Sequence, residues 1–149
     1  MRKTLVVALI SAMAAGAMVG GTTLAFAQGD ALAQRKQNRK DTAAEMRAVK
    51  GIIDAKGATS GAVAHAAKLK ELEMAFVKLF PAGSDTGETK ALPTIWSDMA
   101  GFQMASKNVE AAYDKLSVAA GSGDMAALTA AFGETGKACG ACHEKYRAK

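Results

Sequence analysis

Residues 94–120, TIWSDMAGFQMASKNVEAAYDKLSVAA, place Ile95, Met99, Phe102, Ser106, Val109, Tyr113, Leu116 and Ala120 at alternating steps of three and four. Those steps keep side chains on one face of an α-helix, whereas a half-buried strand needs steps of two. The same spacing recurs in three other stretches. Near 59–80 it picks out His65, Leu69, Leu72, Phe76 and Leu79, and near 124–147 it picks out Met125, Leu128, Phe132, Thr135, Cys139, Cys142 and Tyr146. Near 30–56 the inward line is Leu32, Arg35, Arg39, Thr42, Met46, Val49 and Ile53. No run alternates apolar and polar residues, so the chain reads as all-α.

Breakers fall between these stretches. Gly57 closes the first, Phe80-Pro81-Ala82-Gly83 the second, and Gly121-Ser122-Gly123-Asp124 joins the last two, with Asp124 placed to cap the fourth helix. The only long connection covers residues 81–93. Short connections force antiparallel neighbours, so the expected fold is an antiparallel up-down-up-down four-helix bundle.

The first 27 residues stand apart. Arg2 and Lys3 precede an apolar run over residues 5–19 and an Ala25-Phe26-Ala27 exit. This is the pattern of a secretory signal peptide cut after Ala27, leaving residues 28–149 as the working domain. An uncut membrane anchor is the competing reading, and the glycines, alanines and Ala-x-Ala exit oppose it. Of 19 basic residues the leader removes Arg2 and Lys3, so against 14 acids a charge of +3 remains. With few aromatics and basic residues scattered among acids, no nucleic-acid surface is expected.

The two cysteines sit in Cys139-Gly140-Ala141-Cys142-His143. On a helix residues 139, 142 and 143 face one way. Two thiols can add across the vinyl groups of a haem while the imidazole reaches its iron from the same side, so the motif reads as covalent attachment of one haem c, with His143 as axial ligand. Two other chemistries use Cys-x-x-Cys. A dithiol redox site wants the motif at the start of a helix, where the first thiol is acidified. A zinc site wants further ligands, and His65 is the only other histidine.

In an antiparallel bundle the motif faces the start of helix one, the end of helix two and the start of helix three. Phe76, Phe80 and Trp96 are then expected as apolar walls. His65 stands roughly 20 Å from Phe80 along helix two at about 1.5 Å per residue, and is expected at the seam or rim. Arg35 and Arg39 occupy inward positions where unpaired guanidinium groups would be costly. Arg35 is expected to pair with a haem propionate, and Arg39 to border the haem pocket.

Taken together, these residues resemble the cytochrome c prime family of periplasmic four-helix c-type cytochromes. The resemblance rests on Arg35, Lys40, Met46, Arg47 and Ala48; on Leu79 to Gly83, Ile95-Trp96 and Phe102; on the Gly123-Asp124 turn; and on Cys139, Cys142 and His143. It implies a haem-propionate role for Arg35, a haem-edge position for Thr89, a periplasmic location with redox partner proteins, and a homodimer as a common assembly. The chain departs from the pattern at Arg39, where a bulky apolar residue, or methionine in low-spin relatives, faces the open side of the iron, and at Lys90, where an acid is usual. Met46 lies two turns further on, roughly 10 Å away, so a haem protein with electron-transfer activity and a five-coordinate iron able to take NO or CO is expected. The alternatives are a six-coordinate one-electron carrier and, more distantly, a thiol oxidoreductase. No nucleophile, acid–base pair or phosphate loop points to an ordinary enzyme.

Overall fold

The computed structural model describes the backbone from residue 20 and side chains from residue 30 to the C-terminus. Most of the expected leader, residues 1–19, lies outside the described residues. Five α-helices follow in order: α1 Gly20–Asp54, α2 Ala62–Phe76, the four-residue α3 Thr94–Ser97, α4 Met99–Gly121 and α5 Met125–Tyr146. The four long ones form the expected all-α bundle. Among the described residues the only β pairing is an isolated antiparallel bridge between Ala91 and Arg147. No described helix is long and apolar enough to cross a membrane.

Helix ends follow local chemistry, with one surprise. The Asp124 carboxylate accepts from Ala126 N at 2.8 Å and Ala127 N at 3.2 Å, capping α5, and Gly123 supplies the positive φ of 79° that the preceding turn requires. At the end of α1 the left-handed residue is Lys56 (φ 48°) rather than Gly57. Lys56 N donates to Ile53 O and Gly57 N to Ile52 O, which satisfies two terminal carbonyls in a Schellman arrangement.

The expected third helix is broken. Asp98 leaves helical geometry (φ −131°, ψ 54°), ends α3 and caps α4 by accepting from Gly101 N at 3.1 Å. Periodicity survives the break because the chain resumes in register: Ile95, Phe102, Ser106, Val109, Tyr113, Leu116 and Ala120 are all buried.

Helix α2 is rolled relative to expectation. Ala62, Ala66, Leu69 and Glu73 are buried, while His65 and Leu72 are only partly covered. Alanines at 62 and 66 allow close approach of the neighbouring helices, and this places the small residues, rather than His65, on the contact face. His65 is at the rim, its Nδ1 2.5 Å from Glu45 Oε2.

Packing is uneven. Helix α2 packs extensively on α4 and on α1, and α4 on α5, but α1 meets α5 only lightly. An aliphatic core of Val49, Leu69, Leu116 and Leu128, with Tyr113, fills one end of the bundle. An aromatic core of Phe80, Phe102 and Tyr146, with Ile95, fills the other. Centroid separations of 4.9 Å for Phe76–Phe80 and for Phe80–Phe102, and 5.3 Å for Phe102–Tyr146, are edge-on contacts. Between these cores, where α1 and α5 stand apart, the bundle is hollow.

Candidate functional site

The hollow is a cavity of about 1130 Å³, just above the roughly 300–1,000 Å³ usual for small-molecule and cofactor sites. Its walls are the middle of α1 from Leu32 to Arg47, the end of α2, α4 from Phe102 to Tyr113 and the second half of α5, the helices the antiparallel argument names, together with the loop at 88–91, which that argument does not name. Cys139, Cys142 and His143 all line it, as do Arg35, Arg39 and Thr89. These six residues therefore border one space.

Phe76 and Phe80 form apolar wall as expected, joined by Phe102, Val109 and Tyr113. Trp96 does not. It stands behind Phe80 at a centroid distance of 5.6 Å, and its indole N–H donates to Pro81 O at 2.9 Å. The indole follows its hydrogen bond to the loop rather than the cavity. Met46, which sequence reasoning set aside as too far along α1, lines the cavity too; the cavity runs for several turns along that helix.

The motif chemistry is that of protonated thiols and a neutral imidazole. Both cysteines are free and half-buried. Burial pushes the Cys142 thiol up to about 11, with Glu73 and Cys139 adding to the rise, and burial also raises Cys139. A redox dithiol needs the opposite shift. His143 stands at the cavity mouth, where partial desolvation, and then Arg147 and Arg39, lower its pKa below the usual histidine value. The neutral ring is the metal-ligating form.

Arg35 is buried, and only Nη2 is engaged, donating to Ser84 O at 2.6 Å. Its Nε and Nη1 are buried without a hydrogen-bond partner, and its Cζ lies 4.7 Å from the Phe80 centroid. Burial lowers its pKa, opposed by the charge of Asp85. Two orphaned guanidinium nitrogens at a cavity wall are costly unless an acidic group completes them. A haem, with two thiol-reactive vinyl groups, an iron that takes imidazole and propionates that take guanidinium, fits this donor set. Thr89 turns its hydroxyl to its own loop, accepting from Ala91 N at 3.0 Å.

Arg39 borders the cavity and is held there by its neighbours. Its Nη1 is 3.1 Å from Glu73 Oε2, its Nε and Nη2 donate to Asn38 Oδ1, and its Cζ lies 3.6 Å over the Phe76 ring. Glu73 and Asn38 escaped the sequence reading. The signal for Glu73 is present, since 62, 66, 69, 73 and 76 is itself a three-four line, but the line through His65, Leu69, Leu72, Phe76 and Leu79 passes it by.

Comparison with known proteins agrees with this geometry. The family model described as Cytochrome C' matches residues 30–147. Cytochrome c' of Rubrivivax gelatinosus is 39% identical over 128 residues, covering 81% of this chain and 96% of that protein. Its crystal structure superposes with a TM-score of 0.72 at 35% identity, covering 81% of this chain and 97% of that one. A leucine-to-alanine variant of cytochrome c prime from Alcaligenes xylosoxidans, solved as its nitric oxide complex, gives a TM-score of 0.74 at 31% identity over 82% of this chain and 96% of that one. A four-helix bundle, a thiol pair with histidine on its last helix and a match along the whole described domain lead to one assignment: this chain belongs to the cytochrome c' family, whose members carry covalently attached haem c.

Proposed function

We propose that this protein is a periplasmic haem protein, exported by a leader cut after Ala27, whose single haem keeps one iron face open to small diatomics such as NO or CO. Cys139 and Cys142 hold the haem through thioether bonds, and His143 gives its imidazole to the iron. Arg35 pairs with a propionate through the nitrogens that have no protein partner. Phe76, Phe80, Phe102 and Val109 keep water from the pocket. The haem supplies an iron that cycles between ferric and ferrous states and binds diatomics.

The observation that carries the open-iron reading is Arg39. At the position where low-spin relatives of the family place a methionine stands a guanidinium, which has no lone pair to give iron, and it is committed to Glu73 and Asn38. The nitric oxide complex of the Alcaligenes relative supports the same reading. A second reading, a six-coordinate one-electron carrier passing electrons between periplasmic partners, is favoured by Met46, whose thioether lines the cavity.

Absorption spectra of the haem protein decide between them. A high-spin ferrous spectrum that shifts on adding CO supports the open site. Low-spin bands indifferent to CO, and converted to high-spin by Met46→Leu, establish the carrier.

A further inference from the structure

The Arg39 side chain is held on three sides. Phe76 lies beneath it, Asn38 accepts from Nε at 3.0 Å and from Nη2 at 2.5 Å, and Glu73 accepts from Nη1 at 3.1 Å. Asn38 is fixed in turn, its Nδ2 donating to Leu72 O at 2.9 Å. Glu73 is the deepest member, its side chain only 5% exposed against 33% for Arg39. Its other oxygen accepts from the buried Ser106 hydroxyl at 2.9 Å. A carboxylate at such depth is tolerated only when paired and hydrogen-bonded, and both conditions are met by residues of two other helices, Arg39 of α1 and Ser106 of α4.

A guanidinium has five N–H groups, of which these contacts use three. One on Nη1 and one on Nη2 stay uncommitted beside the cavity. We propose that Glu73 is the positioning residue for Arg39, fixing the guanidinium against Phe76 and cancelling its charge, so that the pocket wall offers hydrogen bonds to a neutral diatomic without drawing in inorganic anions. An apolar residue at 73 would leave Arg39 a mobile cation. An apolar residue at 39 would leave the wall without a donor.

The inference deepens the function proposed above and rests on a haem in this cavity, but its principal test does not require an open iron. An uncompensated unit charge within roughly 10 Å, at an effective dielectric near 20, is worth about tenfold in an equilibrium that changes charge. Glu73→Gln keeps the shape and removes the compensating charge. The ferric–ferrous midpoint of the haem protein, followed by spectroelectrochemistry, is expected to rise by about 59 mV, the one-electron equivalent of tenfold. In Glu73→Gln combined with Arg39→Gln it returns to within about 18 mV of the wild type, the one-electron equivalent of a factor of two. A Glu73→Gln midpoint within that margin of the wild type overturns the proposal, whatever the iron's ligation. Azide provides the specificity test where CO binds: Glu73→Gln is expected to bind azide about tenfold more tightly, and unchanged affinity overturns the anion-exclusion role. Should Glu73→Gln not accumulate folded, Glu73→Asp keeps the charge but shortens the reach. It is then expected to lose the exchange protection of the Arg39 Nη1–H that Glu73 accepts, read in nitrogen-edited NMR, and an Nη1–H as protected as in the wild type overturns the positioning role.

Discussion

The hydroxyl of Tyr146 donates to Asp98 Oδ2 at 3.0 Å, tying the last residue of α5 to the residue that caps α4. Lys145 Nζ reaches the same oxygen at 2.7 Å while Oδ1 takes Gly101 N–H. Backbone bonds beside it, from Leu92 N to Tyr146 O and from Ala148 N to Lys90 O, attach the long loop to the same corner. The Cys139–His143 motif lies just before the turn this latch holds, so one partly exposed carboxylate helps to fix it against α4, beside the aromatic core.

That dependence has a sign in pH. Hydrogen bonds from Lys145, Tyr146 and the Gly101 N–H hold the Asp98 carboxyl below the usual carboxylate range. A group depressed in the folded state stabilises fully above its unfolded pKa, roughly 3.9, and the contribution is lost as pH falls through the lower folded value. Asp98→Asn is therefore expected to lower the thermal midpoint by the same amount at pH 7 and pH 5, and by less at pH 3. A deficit as large at pH 3 as at pH 7 would show that the charge plays no part.

Arg35 tests the propionate assignment through stability. Removing one partner of a buried ion pair leaves the other uncompensated, at a cost of about 3–5 kcal/mol. Arg35→Met is expected to destabilise the haem protein by a comparable amount in denaturant titrations. Made in the Cys139→Ala, Cys142→Ala background, which should carry no haem, the same change is expected to be neutral or stabilising, because it deletes two buried nitrogens that have no partner. Equal effects in the two backgrounds would mean that Arg35 acts through Ser84 alone.

The thiols separate haem attachment from dithiol redox chemistry. Single Cys139→Ala and Cys142→Ala variants are each expected to keep haem on the denatured chain through one bond, and the double variant to lose it, read by haem staining on a denaturing gel. In the haem-free wild-type chain, with the Cys142 pKa near 11, alkylation by iodoacetamide should be slow at pH 7 and climb about tenfold per pH unit toward that value. Rapid alkylation at pH 6 would instead mark an acidified redox thiol.

What could be read in advance followed from how each feature is encoded. The bundle and the motif are local: three-four spacing, capping residues and Cys-x-x-Cys-His each specify their own geometry, and Asp124 caps α5 where the sequence puts it. The roll of α2 is not local. His65 and Ala66 are adjacent, and only the closeness of the neighbouring helices selects the alanine. The break at Asp98 depends on partners 47 and 48 residues away, Lys145 and Tyr146. Glu73 was the hardest to see, because a carboxylate joins a core only when a cation and a hydroxyl from other helices meet it, and Arg39 and Ser106 lie 34 and 33 residues off.

Two glycines with the same helical propensity separate the latch from ordinary helix stability. Gly133, in the exposed face of α5, has open space where a Cβ would stand. Gly133→Ala should therefore stabilise by up to about 1 kcal/mol, since only the backbone entropy of glycine is removed. Gly101, in the first turn of α4, is different: a Cβ there would collide with both Asp98 carboxylate oxygens and the Tyr146 hydroxyl. These are side-chain tips, yet they cannot withdraw without breaking the α4 cap and the bond to α5 together. Losing a cap alone costs about 1 kcal/mol, enough to cancel the propensity gain, and loss of the Tyr146 bond adds to it. Gly101→Ala is thus expected to lower the thermal midpoint where Gly133→Ala raises it. It should also perturb the haem spectrum, because the displaced Tyr146 follows the motif on the same helix. A Gly101→Ala protein as stable as Gly133→Ala, with an unaltered spectrum, would show that the corner absorbs the methyl group and that the motif is held by the aromatic core alone.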